Sequence, residues 1–482
     1  MNRITLMLIA ALLVLAAQAS FGSDALVTPE EALKVGRNWV ALITELEGEW
    51  AGSAAPTVEE VLDFTLDGRL VGYYCPVEPR GFVAVSLIRG LAPIKANSDV
   101  SEIDLDAESG PDAFLKESMA ALLDAVEGKL GPVEALTVDA VRGILEVDYT
   151  ASWEAYLGDF AALSRDYAGG DTLVPDLWHQ TEPYNFYCPP GDSCDHTSVG
   201  CGPLSCAQIA HYWNWPPYGE GPFASTVYDW RNMPNQLDDG ISPPEHIEAV
   251  ARLCADFGEA QDAIYGCPDQ GGTGATPDSI PGSLEHCFRF SDDGNYVTRV
   301  SYTAEDWFDV LKGELNKNRP LVYLIPDHAM VCDGWKETGS PVLREYHMNY
   351  GGGSTTQNIW YTLDALPDGD ILVEAALLHV YPETALGGAF TGIFPKESFP
   401  YRYFDRDTEG ASAVFAPGQS FQLLPDVTVG CSSGSVLFNG SVTEETVIST
   451  CAEWSRGIHI GAGALKIYPG GELTMTGIPV VP

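Results

Sequence analysis

Residues 200–216 read GCGPLSCAQIAHYWNWP, and Cys201 is the member of this run with a nucleophilic side chain. A glycine precedes it, Pro203 suits the first turn of a helix, and Leu204 to Trp213 can continue that helix. The thiol then lies among unpaired backbone N–H groups at the positive end of the helix dipole, where a thiolate is stabilised. The same residue reads equally well as a structural sulfur, so a partner base decides the matter. Of nine histidines, His328 has the most suggestive setting, in RPLVYLIPDHAMVCDGW. There an apolar strand and an interruption at Pro326-Asp327 lead to a second strand with the histidine near its start, where it could face a cleft. A further strand, REYHMNYGGG, places His347 and Asn349 on one face, because strand side chains alternate with period two. Either could hydrogen-bond an imidazole. Thiol, imidazole and carboxamide in that order suit attack by an activated sulfur on a carbonyl.

These residues need elements to hold them. Near the N-terminus, TPEEALKVGRNWVALITELEGEW offers Thr28 as N-cap, Pro29 at the first helical position and Glu31 to complete a capping box. Alternating runs at 70–74 (LVGYY) and 81–86 (GFVAVS) predict strands, and a second helix is expected from Asp112 to about Lys129. This is a small α+β unit, and GGD at 169–171 is the most linker-like point after it. Residues 172–385 are richer in Trp, Tyr and Cys and hold every candidate site. From about 386 the chain changes to short apolar runs between Gly and Ser turns (SFQLL, VTVGC, SVLFN, TVIST, GIHIG, ALKIY, ELTM), an all-β texture that suits a small sandwich or a solenoid-like cap.

At 482 residues several cores are expected. Arg3, an apolar run from Ile4 to Ala17 and the A-x-A pattern Ala17-Gln18-Ala19 predict an export signal over 1–19, or at the longest to 23. The expected location is secreted, periplasmic or on the cell surface. No later segment has the roughly 18 unbroken apolar residues of a membrane span. A formal charge of −43 repels phosphate backbones and argues against nucleic-acid partners. Eleven cysteines in an exported chain predict disulfides with at least one thiol left over. Cys188–Cys194 and Cys431–Cys451 are the expected pairs, and Cys206 and Cys332 are expected to be buried thiols.

Over residues 175–366 the chain resembles the streptopain family of secreted bacterial cysteine peptidases, relatives of papain. The family's W-x-Q-x-x-P-Y-N-x-x-C-P reads here from Trp178 to Pro189, and its nucleophile block matches 200–216 without a gap, sharing Gly200, Cys201, Ala207, Gln208, Ile209, Tyr212 and Pro216. Its Y-D-W-x-N-M-P is Tyr228 to Pro234, its AVAxL helix is Ala249 to Leu253, and its H-A-F-V-x-D-G is HAMVCDG from His328 to Gly334. The resemblance implies Cys201 as nucleophile, His328 as general base and then acid, Asn349 orienting the imidazole, and Gln180 with the backbone N–H of Cys201 as oxyanion donors. It implies protein or peptide substrates, with a bulky apolar residue favoured just upstream of the cleaved one, and no cofactor or metal. Where the family has N-W-G-W-G-G, this chain has Asn349-Tyr350-Gly351-Gly352-Gly353, so Tyr350 stands for one tryptophan and Gly352 for the other. Gly202-Pro203 after the nucleophile is also similar to the start of bacteriocin-processing peptidases, which leaves Cys201 and His328 in the same roles.

More weakly, Gly81–Ser86 and Pro93–Ser98 resemble strands of that family's inhibitory propeptide. The expected organisation is a signal (1–19), an inhibitory propeptide (24–170), a papain-like α+β peptidase domain (171–385) and a C-terminal β domain (386–482), with an activating cut between about 150 and 175. A Cys75 bridge into the peptidase portion would tether the propeptide after that cut. Two rival readings are a zinc site from Cys188, Cys194, His196 and Cys201, and a catalytically degenerate binding or adhesion protein whose β tail is the working part. DRDTEG at 405–410 is similar to a calcium loop but has Ala416 where the closing Glu is required, so it is read as a turn.

Overall fold

The computed structural model describes residues 23–107, 113–170, 172–216, 219–238, 240–325, 328–353, 358–362 and 374–382, with the backbone of short strands between 400 and 475. The expected export signal, the Cys431–Cys451 pair and the DRDTEG turn lie outside what is described. Two compact units form. One runs up to Ala168 and adds Glu337–Glu345 and Trp360–Leu372, and the other takes Gly169–Lys336, Tyr346–Ile359 and the chain from Val373 onward.

In the first unit, helix α1 (Pro29–Glu47) starts as the sequence predicts. Thr28 accepts the N–H of Glu31, and the Glu31 carboxylate accepts the N–H of Thr28. Its apolar face, with Val35, Trp39 and Ile43, packs on an antiparallel sheet of β1 (Leu62–Leu66), β2 (Arg69–Pro76), β3 (Phe82–Ser86) and β4 (Ile94–Ser98). Cys75 is buried beneath α1 with its thiol toward the Ala32 carbonyl, so it is a core thiol and not the bridge considered from sequence. Helix α2 (Phe114–Leu130) covers β1 and β2. After α3 (Val138–Arg142), α4 (Thr150–Leu157) returns to α1 through an edge contact of Tyr156 with Trp39. Asn97 and Ala96 of β4 pair with Trp360 and Tyr361, and Asn97 donates to the buried Glu345 carboxylate at 2.5 Å. The chain leaves this unit through the exposed strand β5 (Tyr167–Gly169).

The second unit is built around helix α5 (Cys201–Trp213). Every residue after Cys201 is buried, including the polar Ser205, Gln208 and His211. It ends at Asn214, which is left-handed at φ 49° and caps it with its N–H. Helices α6 (Pro244–Ala260) and α7 (Ser279–Phe288) pack on it, and Trp178, Trp215, Phe257 and Phe288 fill the core. Strand β6 (Asn295–Thr298) and helix α8 (Ala304–Leu315) lead into the hairpin of β7 (Leu321–Ile325) and β8 (His328–Thr338). Next come β9 (Leu343–Asn349), β10 (Asn358–Tyr361) and β11 (Ala375–Leu378), and the strands lie in the order β9-β8-β7-β11-β6.

Among the described residues a disulfide joins Cys194 to Cys267, not Cys194 to Cys188. Cys188 belongs to the apolar core, whereas the loop carrying Cys194 folds onto Cys267 over Gly191, where a Cβ would come within 2.4 Å of the Cys267 sulfur. Cys194 is thereby removed from the zinc set considered above. Cys206 and Cys332 are buried thiols, as expected.

Beyond residue 382 the backbone forms parallel ladders, which decides between the two expectations for the tail. Thr428 pairs with Val447 and Thr446 with Leu465; Val436 pairs with Ala452 and Ala452 with Leu473; Ser441 pairs with His459. Parallel partners joined by such short stretches of chain describe successive coils of a solenoid, whereas a sandwich would pair its neighbours through antiparallel hairpins. Among the described residues no helix is long and apolar enough to cross a membrane.

Candidate active site

Gly200, at φ 96°, turns the chain so that Cys201 becomes the first residue of α5. The position is close-fitting: a Cβ on Gly200 would lie 3.1 Å from Thr273, and one on Gly202 would lie 3.0 Å from Gln261. The Cys201 thiol meets the backbone N–H groups of Ala329, Gly202 and Cys201 itself. Burial pushes the thiol above its ordinary value, and these donors offset that only in part. The helix terminus that favoured a thiolate in the sequence is present, but desolvation outweighs it.

His328 opens β8 opposite Ile325, the last residue of β7, so the hairpin register delivers the imidazole to the end of the sheet. The contact of Cys201 with the N–H of Ala329 places the two predicted residues side by side. Among the described residues no hydrogen bond runs between the thiol and the ring. The ring Nε2 instead donates to the carbonyl of Tyr350 at 3.1 Å, and the Tyr350 ring lies parallel to it with centroids 5.9 Å apart. Burial lowers His328 from 6.5 to about 4, with the Tyr350 carbonyl acting in the opposite sense.

Asn349 closes β9 one residue before that carbonyl, and its side chain does not reach the imidazole. Its Oδ1 accepts from the Gly351 N–H at 3.0 Å and from Gln208 Nε2 at 3.3 Å, and its Nδ2 donates to the Asp176 carbonyl at 2.7 Å. The geometry therefore differs from a direct carboxamide–imidazole bond. The acceptor is the next peptide along, because the Asn349 side chain is turned inward to the turn it starts. His347, the other candidate on this face, pairs with the buried Asp333 at 2.6 Å.

Gln180 is half-buried, and its carbonyl accepts the N–H of Val199, two residues before Cys201. Its neighbour His179 forms a β-bridge with Gly352, and a Cβ on Gly353 would touch the His179 ring at 3.2 Å. The segment carrying Gln180 is thus tied both to the nucleophile's loop and to the loop after Asn349. The Gln180 carboxamide makes no hydrogen bond among the described residues.

Sequence reasoning missed the Tyr350 carbonyl, Gln208, Asp176 and Asp333. Gln208 had a signal, as a polar residue two turns after Cys201 in a mostly apolar helix. Asp176 had none, because it binds His211 across 35 residues of sequence. Asp333 accepts the N–H of Val174 and so fixes the strip that leads to Trp178 and Gln180.

The sequence profile of the Peptidase C10 family matches residues 178–361. The thiol protease/hemagglutinin PrtT of Porphyromonas gingivalis is 26% identical over 217 residues, covering 41% of this chain. The chain spans 24% of the length of that relative. Among solved structures, a prointerpain A fragment of Prevotella intermedia superposes with a TM-score of 0.53 at 23% identity, covering 68% of this chain and 99% of the fragment. Active interpain A of the same organism gives a TM-score of 0.39 at 27% identity, with 46% and 98% covered. The fold is that of a papain-like α+β peptidase.

Proposed function

We propose that the chain is an exported cysteine endopeptidase made as a zymogen. Cys201 attacks the substrate carbonyl, His328 takes the thiol proton and returns it to the leaving amine, and water resolves the thioester. Gln180 and the Cys201 N–H stabilise the oxyanion. The observation that carries this reading is the thiol at the first turn of α5, beside a histidine whose far nitrogen is held by a backbone carbonyl. The propeptide reading is supported by the likeness in fold to prointerpain A, which covers more of the chain than the family match does. Burial pushes both Cys201 and His328 toward their neutral forms, which suits a precursor whose thiol is not activated. The exposed residues 166–170, within the 150–175 window, are the accessible stretch for the activating cut. The missing tryptophans that favoured a degenerate binding protein lose part of their weight, since Tyr350 already covers the imidazole. Protein and peptide substrates, export and the domain limits belong to the same proposal.

The test is mass spectrometry of the chain without its signal after exposure to an epoxide probe for papain-like thiols, beside the Cys201→Ala variant. The expected result is label on Cys201 and a cut between about 150 and 175 in the wild type alone. Absence of label on every form, including material trimmed by an added protease, would overturn the reading.

A further inference from the structure

We infer that Gln208 is a positioning residue for the catalytic histidine, acting through Asn349 and the Tyr350 peptide; this rests on the proposed roles of Cys201 and His328. Gln208 is buried to 1% exposure within α5, where an amide is costly unless it is hydrogen-bonded; its Oε1 has no partner, so the Nε2 bond is what holds it there. Its Nε2 donates to Asn349 Oδ1, the atom that also receives the Gly351 N–H. The other end of the Asn349 carboxamide is held by the Asp176 carbonyl, and Asp176 is anchored by His211 at 2.8 Å. Both atoms of the Asn349 carboxamide are therefore used to fix the 349–351 turn. A flipped Asn349 would set its oxygen against the Asp176 carbonyl, and a flipped Gln208 would set oxygen against oxygen, so the network has one consistent orientation.

The turn has little freedom to absorb a loss. Gly351 sits at φ 71°, and a Cβ there would come within 2.6 Å of Leu204. Inside this turn, Tyr350 points its carbonyl at His328 Nε2. Gln208 lies two turns beyond Cys201 on the same helix. The helix that aims the thiol thus also aims the acceptor of its base, and a tilt of α5 would move both together. Gln208 touches neither substrate nor the reacting atoms; it fixes which way the imidazole faces.

The experiment compares full-length chains carrying Gln208→Met, Asn349→Ala or both with the wild type. It measures kcat and KM on a peptide after activation, and the pH profile of Cys201 alkylation by iodoacetamide read by mass spectrometry. Each single change is expected to lower kcat about tenfold to a hundredfold with KM nearly unchanged, and to displace the acid limb of alkylation. The double variant should be no slower than the worse single one, because both act through one carbonyl. Wild-type kcat and an unmoved alkylation profile in Gln208→Met, or additive losses in the double variant, would overturn the inference. If thermal melting shows Gln208→Met unfolded, Gln208→Leu, which removes the donor in a smaller side chain, takes its place with the same expectations. A wild-type thiol alkylated no faster than that of the His328→Ala chain would instead overturn the peptidase reading beneath it.

Discussion

The depressed value of His328 makes a stability prediction that needs no substrate. Burial holds this imidazole at about 4 in the folded chain against an ordinary 6.5. The unfolded chain therefore binds the proton more readily, and folding loses stability as pH falls from 6.5 through about 4. Between about pH 7 and about pH 4.5 the loss from this one group is about 2 to 3 kcal/mol. Asp256 works in the opposite direction. Burial raises its carboxyl from 3.8 to about 6, a shift that its hydrogen bond from Tyr228 only moderates. Its folded form keeps the proton longer than the unfolded one, so its share of stability falls with rising pH, by about 2 kcal/mol over the same interval. The two trends nearly cancel in the parent chain, so a difference measurement is required. Urea unfolding followed by tryptophan fluorescence, on the Cys201→Ala chain with and without His328→Gln, isolates the histidine. The stability of the His328→Gln chain relative to its parent should improve by about 2 to 3 kcal/mol on going from about pH 7 to about pH 4.5. Parallel curves would mean that the imidazole is hydrated and that its burial does not set its charge.

Two further outcomes follow from the site and its support. Gln180→Ala should lower kcat by roughly 10² to 10³ with little change in KM, measured on a peptide with activated enzyme, since one oxyanion donor is lost. Cys194→Ser should lower stability by about 2 to 4 kcal/mol in non-reducing melts, because the Cys194–Cys267 bond closes a loop of 73 residues; reductant should erase the difference between the two chains.

Much of the scaffold was legible because it is written in local patterns. The Thr28–Glu31 capping box, the α1 start, the strands around 70–74 and 81–86 and the nucleophile helix all depend on residues a few positions apart, and all form. The adjacency of Cys201 and His328 came from the matched blocks, since nothing in either segment alone specifies a partner 127 positions away. What could not be read was the set of long-range choices among near-equivalent partners. Cys194 had a cysteine six residues before it and bonds one 73 residues after it, because Cys188 is worth more in the apolar core. Asn349 had the right type and face for an imidazole ligand, yet the turn at Gly351 captures its oxygen first, an i to i+2 preference of Asn that competes with any tertiary partner. The parallel ladders of the tail were hidden because short apolar runs between turns look alike in a sandwich and in a solenoid, and only the pairing distinguishes them.

These points bear on how the thiol becomes reactive. A helix N-terminus is an argument for a thiolate only where the sulfur keeps some water or meets a cation. At Cys201 the donors from Ala329, Gly202 and Cys201 are present, and burial still raises the thiol. The same burial removes the proton that His328 would need to act as that cation. Neither member can charge alone, but transfer of one proton from sulfur to imidazole charges both at once, and their attraction then opposes the desolvation that each suffers. The charging of the two groups is therefore coupled, and closer approach of imidazole to sulfur favours the ion pair over the neutral pair.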